Sequence, residues 1–418
     1  MTAQPNAPGP LAGLRVIELA NHIGQWCGKL MADFGADVIK VEPPGGVAER
    51  QIGPFYQDVP DPNRSLYFWH YNTSKRGITL DLEQEQGRAL FRKLVAGADI
   101  LLETMPAGKL PSLGLTYESL SAANPGLVMC SLTPFGQDGP WRDYKTSDML
   151  HLAGGGQMAG SGYDAVDDPE RRPIAPGGGN GWHMGSHYAY IAILSALYYR
   201  NRTGQGQYID SSVHEACALT TEMHVPNYIY TGQIVQRQTG RHANARPSGV
   251  SGQMPTADGR YMNGGGVPSA ARFKPFVEWL DSKGAAGELM DPKYQDPVVI
   301  QENMESIRAH IRAFVATVPA EESFKAAQEI GGMSWGIVRA TDDVIDDAHF
   351  RERGFFPEVE HPELGKRFTY PGAAAIYGKS PWRIYHRAPL LGEDNAAVYA
   401  EIGVDAAALA RLQALHVV

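Results

Sequence analysis

With 418 residues, 43% hydrophobic and 20% charged, the chain has an ordinary globular composition and is long enough for two domains. Its formal net charge of −9 weighs against nucleic acid or an anionic membrane surface as the main partner, although a local basic patch can still hold an anion. No apolar run reaches the roughly 18 residues of a membrane span, and Met1 to Pro10 lacks the basic and apolar regions of a secretory signal. Cys27, Cys130 and Cys217 have neither disulfide-framework nor zinc-site spacing, so a cytoplasmic protein without a metal is expected.

Strand-like and helix-like patterns alternate along the first third of the chain. Leu14 to Ala20 reads as a strand, Gly24 to Phe34 as a helix, and Ala36 to Glu42 as a second strand stopped by Pro43-Pro44-Gly45-Gly46. Gly77 to Asp81 is a third strand. Glu83 to Ala96 has apolar residues at helical spacing, and Asp99 to Glu103 and Leu127 to Leu132 are further strands. Such alternation predicts an α/β fold with a doubly wound parallel sheet. The turn after the first strand, Asn21 to Gly28, does not read G-x-G-x-x-G, so a nicotinamide or flavin dinucleotide loses its main support.

From Arg172 to Thr203 there is no Asp or Glu. Pro173 to Gly181 is rich in Gly and Pro, and the apolar run Tyr188 to Tyr199 follows. This describes a loop delivering Trp182 and His183 to a helix N-terminus, where free backbone N–H groups favour an anion. Trp182 is either a core aromatic or a plug in a pocket. His183 and His187, four apart, match a two-ligand metal spacing, but no third ligand lies nearby, so structural histidines are expected.

Tyr208 to Ser212 is another strand. A hairpin around Asp258-Gly259, helices over Arg272 to Leu280 and Gln301 to Thr317, and the irregular stretch Tyr228 to Arg246 suggest a smaller α+β domain. Strands at Phe355 to Val359 and Phe368 to Tyr370 and a last helix, Asn395 to Ile402, close the chain. The expected division is 1–205 and 345–418 for the large domain and 225–335 for the small one, with linkers 206–224 and 336–344.

Several segments in this order resemble the family III CoA-transferases, the group of formyl-CoA transferase, carnitine CoA-transferase and, more distantly, α-methylacyl-CoA racemase. They are Leu11 to Leu19, Asp33 to Pro44, Ser74-Lys-Arg-Gly-Ile-Thr-Leu-Asp81, Leu113 to Leu120, Phe135-Gly-Gln-Asp-Gly-Pro140, Arg202-Thr-Gly-Gln-Gly-Gln207 and Arg387 to Glu393. The resemblance implies a Rossmann-like large domain built from both chain ends, an inserted small domain and an interlocked dimer. It implies CoA thioesters and carboxylic acids as substrates, with no covalent cofactor. In active members a carboxylate before R-x-x-T-G-x-G-Q attacks the acyl-CoA, giving a mixed anhydride, then an aspartyl-CoA thioester, and finally passing CoA to the acceptor acid. Counted back from Thr203, that position falls on Trp182; His183 and Asp148 are the alternative catalytic candidates. The phosphate-holding loop reads Thr104-Met-Pro-Ala-Gly108, with Ser112 in place of an Arg, while the family's Gly-Asp-x-x-Arg keeps only Arg50. Lys75, Arg76, Gly108, Lys109 and Arg50 are the residues placed near CoA, and Gly264 to Gly266 falls on the family's glycine-rich lid.

Three readings follow. The first is the subunit of a hetero-oligomeric CoA-transferase, such as the benzylsuccinate enzymes, whose paralogous partner carries the Asp. The second is a self-sufficient transferase or racemase with a relocated group. The third is a non-catalytic acyl-CoA-binding protein.

Overall fold

Six parallel strands form one sheet in the order β3-β2-β1-β4-β5-β6 in the computed structural model, which describes residues 7–164, 168–170, 172–245, 252–264 and 266–418. The elements follow the expected alternation: β1 (Arg15–Leu19), α1 (Gln25–Asp33), β2 (Asp37–Glu42), α2 (Leu66–Tyr71), β3 (Arg76–Thr79), α3 (Glu85–Ala96), β4 (Ile100–Glu103). Short helices α4 (Lys109–Ser112) and α5 (Tyr117–Ser121) lead to β5 (Val128–Thr133). Then come α6 (Asp148–Gly154), the long α7 (Asn180–Thr203), β6 (Gln207–Ser212) and α8 (Val213–Leu219). Strands β4 and β5 are buried throughout, as expected where helices cover both faces of a parallel sheet. Leu90, Phe91 and Leu94 of α3 pack on one face with Ile17, Ile39 and Leu101.

The chain divides into two compact units. One comprises 1–157, 176–220 and 349–418, and the other 158–175 and 221–348. In the second unit, α9 (His224–Thr231), β7 (Gln253–Pro255), β8 (Tyr261–Asn263), α10 (Ala270–Ser282), α11 (Pro297–Glu302), α12 (Met304–Val315), α13 (Ala320–Ala326), β9 (Gly336–Val338) and α14 (Thr341–Asp346) surround a core that includes Phe276, Ile307 and Trp335. The first unit resumes through α15 (Ala348–Glu352), the hairpin β10 (Glu358–His361) and β11 (Lys366–Thr369), α16 (Asn395–Glu401) and α17 (Ala406–Ala414).

Several expectations are corrected. Segment 206–224 is not a linker, because Gln207 to Ser212 pairs with β5 as the sheet's edge strand and α8 follows. Segment 336–344 likewise carries β9, paired with β8, and the start of α14. The helix predicted over Gln301 to Thr317 breaks at Asn303, whose side chain donates to Val299 O instead of extending a helical surface. Strand β10 begins beyond Pro357, which has no N–H to give a ladder. Helix α17 was missed, although Asp405 caps it by accepting the Ala408 N–H. Arg246 and Gly265, within the predicted irregular stretch and lid, lie outside the described residues.

Beneath α1 lies a cluster of buried charges. Glu18, in the middle of the sheet on β1, pairs with Lys40 of β2 at 3.0 Å and with Lys75 at 2.8 Å, all without solvent exposure. Buried charges are tolerated only when paired and hydrogen-bonded. Lys40 also donates to Ala20 O, and Lys75 to Gln25 O and Asn72 Oδ1. Helix α1 crosses this cluster at Gly28, where a Cβ would lie 1.7 Å from Glu18 Oε2. Overpacking of this kind costs about 1–3 kcal/mol, so Gly28→Ala is expected to lower the melting temperature by several degrees at roughly 2–4 °C per kcal/mol. Gly45→Ala, whose Cβ meets nothing within 4 Å, serves as the neutral control. Equal calorimetric midpoints for the two variants would show that Glu18 can move aside without loss.

Candidate active site

Sheet order indicates where a ligand belongs. The chain leaves β1 and β4 in opposite directions, and an open parallel sheet forms a crevice at the carboxyl ends of its strands at such a switch point. Here the crevice is a cavity of about 280 Å³ whose walls include Leu19, Val41, Leu80, Thr104 and Met105. Thr104 ties its two turns together, since its Oγ1 accepts the Asn21 N–H at 2.9 Å. Glu83 on the wall pairs at 2.6 Å with Lys109, the first residue of α4. Gly108 precedes it at φ +78°, a left-handed conformation that suits glycine, and donates its N–H to Gln137 Oε1.

Helix α7 opens about two turns earlier than the apolar run, at Asn180, after Gly179 at φ +69°. No side chain of the Ncap residue satisfies its first N–H groups. Asp148, the first residue of α6, does so from outside: its Oδ1 accepts the Trp182 N–H at 3.2 Å. A carboxylate here is favoured by the helix dipole. Trp182 itself is half-buried, with its indole edge-on to His22 and His151, both at 5.2 Å between ring centroids.

One turn along α7 a second aromatic group forms around Trp26 of α1. His183 lies 4.9 Å from the Trp26 ring, and its Nε2 meets the Tyr71 hydroxyl at 2.8 Å. His187 Nδ1 donates to His183 O, and Trp26 Nε1 donates to His187 Nε2 at 3.3 Å. The two α7 histidines are thus engaged with neighbours, and among the described residues no group of three His, Cys, Asp or Glu side chains could hold a metal ion. His70 stacks at 6.0 Å from Trp26. His151 contacts Thr146 and lies 3.3 Å from His214.

Burial favours the neutral imidazole at His70, His151, His183 and His214. Burial, with Lys29 and His183 nearby, brings His70 down to about 3. Burial and the neighbouring His214 bring His151 down to about 4. Burial also lowers His183, aided by His187 and opposed by Asp148, and lowers His214 against Glu215. Glu49 goes the other way from what burial favours, because hydrogen bonds from His22 hold its carboxylate below the usual range.

Of the five residues expected near CoA, Gly108 and Lys109 line a neighbouring cavity beside α4, and Lys109 reaches the crevice wall through Glu83. Lys75 is corrected, since its ammonium is enclosed against Glu18. Arg50 is buried too, bound through two nitrogens to Glu42 at 2.7 Å. Arg76 starts β3 and therefore sits at the amino edge of the sheet, paired with Asp37 and Glu401. Each of these three cations is paired with a carboxylate of the same chain. Sequence reasoning missed His22 and His151 beside Trp182, His70 and Tyr71 beside Trp26, and His214 beside His151. The altered turn Gly24-Gln-Trp26 and the chain's 13 histidines were the signals present.

The model for CoA-transferase family III matches residues 11–395. The chain belongs to this family. It is 32% identical over 400 residues, 94% of each chain, to the succinyl-CoA:(R)-benzylsuccinate CoA-transferase subunit BbsE of Thauera aromatica. It is also 32% identical over 417 residues, 98% of each, to succinyl-CoA–D-citramalate CoA-transferase of Chloroflexus aurantiacus. Among solved structures, a CaiB/BaiF family protein from Brucella suis superposes with a TM-score of 0.79 at 30% identity, covering 94% of this chain and all of that one. No described helix is long and apolar enough to cross a membrane.

The lowered histidines predict a fold that loses stability in acid. A base whose folded pKa is depressed stabilises the fold fully above its unfolded value, about 6.5, and loses that contribution as pH falls toward the folded value. For His70 and His151 the window runs from about 6.5 down to about 3 and 4. Calorimetry is expected to show a flat melting temperature from pH 8 to about 6.5 and a decline between 6.5 and 5, before most carboxylates titrate. A melting temperature constant down to pH 5 would mean that the imidazoles protonate in place.

Proposed function

We propose that this chain is one subunit of a hetero-oligomeric CoA-transferase whose paralogous partner supplies the nucleophilic carboxylate. The observation carrying this is Trp182: an indole stands on the first turn of α7 where the family's attacking carboxylate is expected. In the reaction so divided, the partner's carboxylate attacks the acyl-CoA carbonyl and expels the CoA thiolate, forming a mixed anhydride. The thiolate returns to give an enzyme-bound CoA thioester and frees the donor acid. The acceptor acid then takes the acyl position and receives CoA in turn.

In this reading the crevice between β1 and β4 receives part of CoA, with Gly108 and Lys109 at its phosphate-facing side. The aromatic and imidazole groups around Trp26 and Trp182 form a neutral wall, which suits an apolar surface better than an anion. Succinyl-CoA appears in the names of both relatives, which supports it as donor. The name of the first, a subunit, supports assembly with a second chain in an interlocked pair.

A second reading has one observation in its favour. Asp148 puts a carboxylate at the N-terminus of α7 even though Trp182 does not. A self-sufficient enzyme would use it as the relocated nucleophile. One experiment separates the two: assay CoA transfer from succinyl-CoA to dicarboxylic acids with the chain alone, with its paralogue, and with Asp148→Asn in both settings. The subunit reading expects no turnover alone and transfer in the mixture, with the thioester trapped on the partner. Turnover by the isolated chain that disappears on Asp148→Asn would replace it with the second reading.

A further inference from the structure

Of the imidazoles around Trp26 and Trp182, His22 alone, among the described residues, is hydrogen-bonded to a carboxylate through its ring. Glu49, in the helical turn Ala48–Gln51, is 2% exposed, and its Oε1 accepts both the backbone N–H and the Nδ1–H of His22 at 2.8 Å. An ionised carboxylate only accepts, so Nδ1 carries the proton of the neutral ring and Nε2 keeps its lone pair. That Nε2 has no hydrogen-bond partner among the described residues, and the side chain is 38% exposed. Both members of the pair stand at the rim of the crevice, since Asn21 and Val47 beside them line it. The His22 ring lies edge-on to Trp182, 5.2 Å away between centroids, beside the place where the family's attacking carboxylate is expected. Carboxylate attack and thiolate return move no proton, so the transfer reaction leaves an oriented imidazole base without a task.

We propose that His22, oriented by Glu49, gives this chain a second activity, the hydrolysis of CoA thioesters by general-base activation of water. The proposal rests on the reading that the crevice receives part of CoA. Water adds to the thioester carbonyl as His22 Nε2 takes one of its protons. The tetrahedral adduct then collapses, the C–S bond breaks, and the imidazolium returns the proton to the departing sulfur. The products are the carboxylic acid and CoA thiol, and water is the one co-reactant. His22 is the catalytic residue of this step. Glu49 is a positioning residue, which fixes the tautomer and stabilises the imidazolium while it lasts. A relative with a carboxylate in place of Trp182 has a better nucleophile than water at the same spot; here the indole leaves that approach to water.

Release of free thiol from acetyl-CoA by the full chain, with no acceptor acid and no partner, tests this. Acetyl-CoA is the probe because the free carboxylate of succinyl-CoA can expel CoA without an enzyme. The native chain is expected to release thiol above the uncatalysed rate, and His22→Ala to lower kcat about a hundredfold, within the usual range for a general base. Added imidazole should restore part of that loss. Glu49→Gln should lower kcat about 10–100-fold, the common effect of removing a histidine's orienting carboxylate, with KM kept. No release above background by the native chain overturns the proposal, as does native kcat in a folded His22→Ala or in Glu49→Gln. Loss in His22→Ala without rescue by imidazole overturns it too, since it assigns the ring a structural part. If His22→Ala does not fold, His22→Gln takes its place in the kcat comparison. Hydrolysis by the chain alone without transfer in the mixture with a paralogue would keep this activity and remove the subunit reading. Transfer in the mixture without hydrolysis would do the reverse.

Discussion

A carboxylate in the middle of a sheet has to be neutralised, and the way Glu18 is neutralised organises this half of the molecule. Lys40 reaches it from β2 and Lys75 from the start of β3, so three adjacent strands share one charge cluster. The lysines' remaining donors go to Ala20 O after β1, Gln25 O at the start of α1 and Asn72 Oδ1 after α2. Removing one partner of such a set leaves a buried charge uncompensated, at a cost of about 3–5 kcal/mol. The turn carrying His22, the helix carrying Trp26 and the helix carrying His70 and Tyr71 are therefore fixed by the same few bonds. Gly28 is the steric counterpart, because only a residue without Cβ lets α1 come this close.

The site inherits its rigidity from that cluster and its character from what lines it. Rings dominate, and burial keeps the imidazoles uncharged. A neutral wall of this kind does not compensate a developing negative charge as preorganised donors or cations would. It suits packing instead. Cations that a sequence motif would assign to phosphate binding are directed inward: Lys75 to Glu18, Arg50 to Glu42, and Arg76 to the opposite edge of the sheet.

The parallel sheet was legible because each strand is a short apolar run set between helix-period segments, and the period changes at every boundary. Its edge strand β6 was seen as a strand yet assigned to a linker, because Gln207 to Ser212 is polar and half exposed and carries no burial pattern. The helix break at Asn303 and the late start of β10 after Pro357 depend on single residues, which periodicity over a window averages out. Trp182 was located because a fixed count from Thr203 leads to it. Its neighbours His22 and His151 were not, since they come from separate elements and meet only through the crossover topology, as do His70 beside Trp26 and His214 beside His151. Motif position likewise said nothing about which carboxylate a lysine or arginine pairs with: Lys75 meets Glu18, Arg50 meets Glu42, and Arg76 meets Asp37 and Glu401.

Charge at the start of α7 follows a simpler rule than residue identity. A helix N-terminus presents free N–H groups that need an acceptor, and Gly179 as Ncap brings none. With an indole at Trp182, the acceptor arrives from α6, where Asp148 is positioned by Ser147 capping that helix through the Leu150 N–H. Gly181 makes the approach possible, since a Cβ there would sit 3.0 Å from Asp148 Oδ1. The anion-binding property of the helix end is thus retained while its carboxylate comes from a different element, held by a backbone N–H on one oxygen.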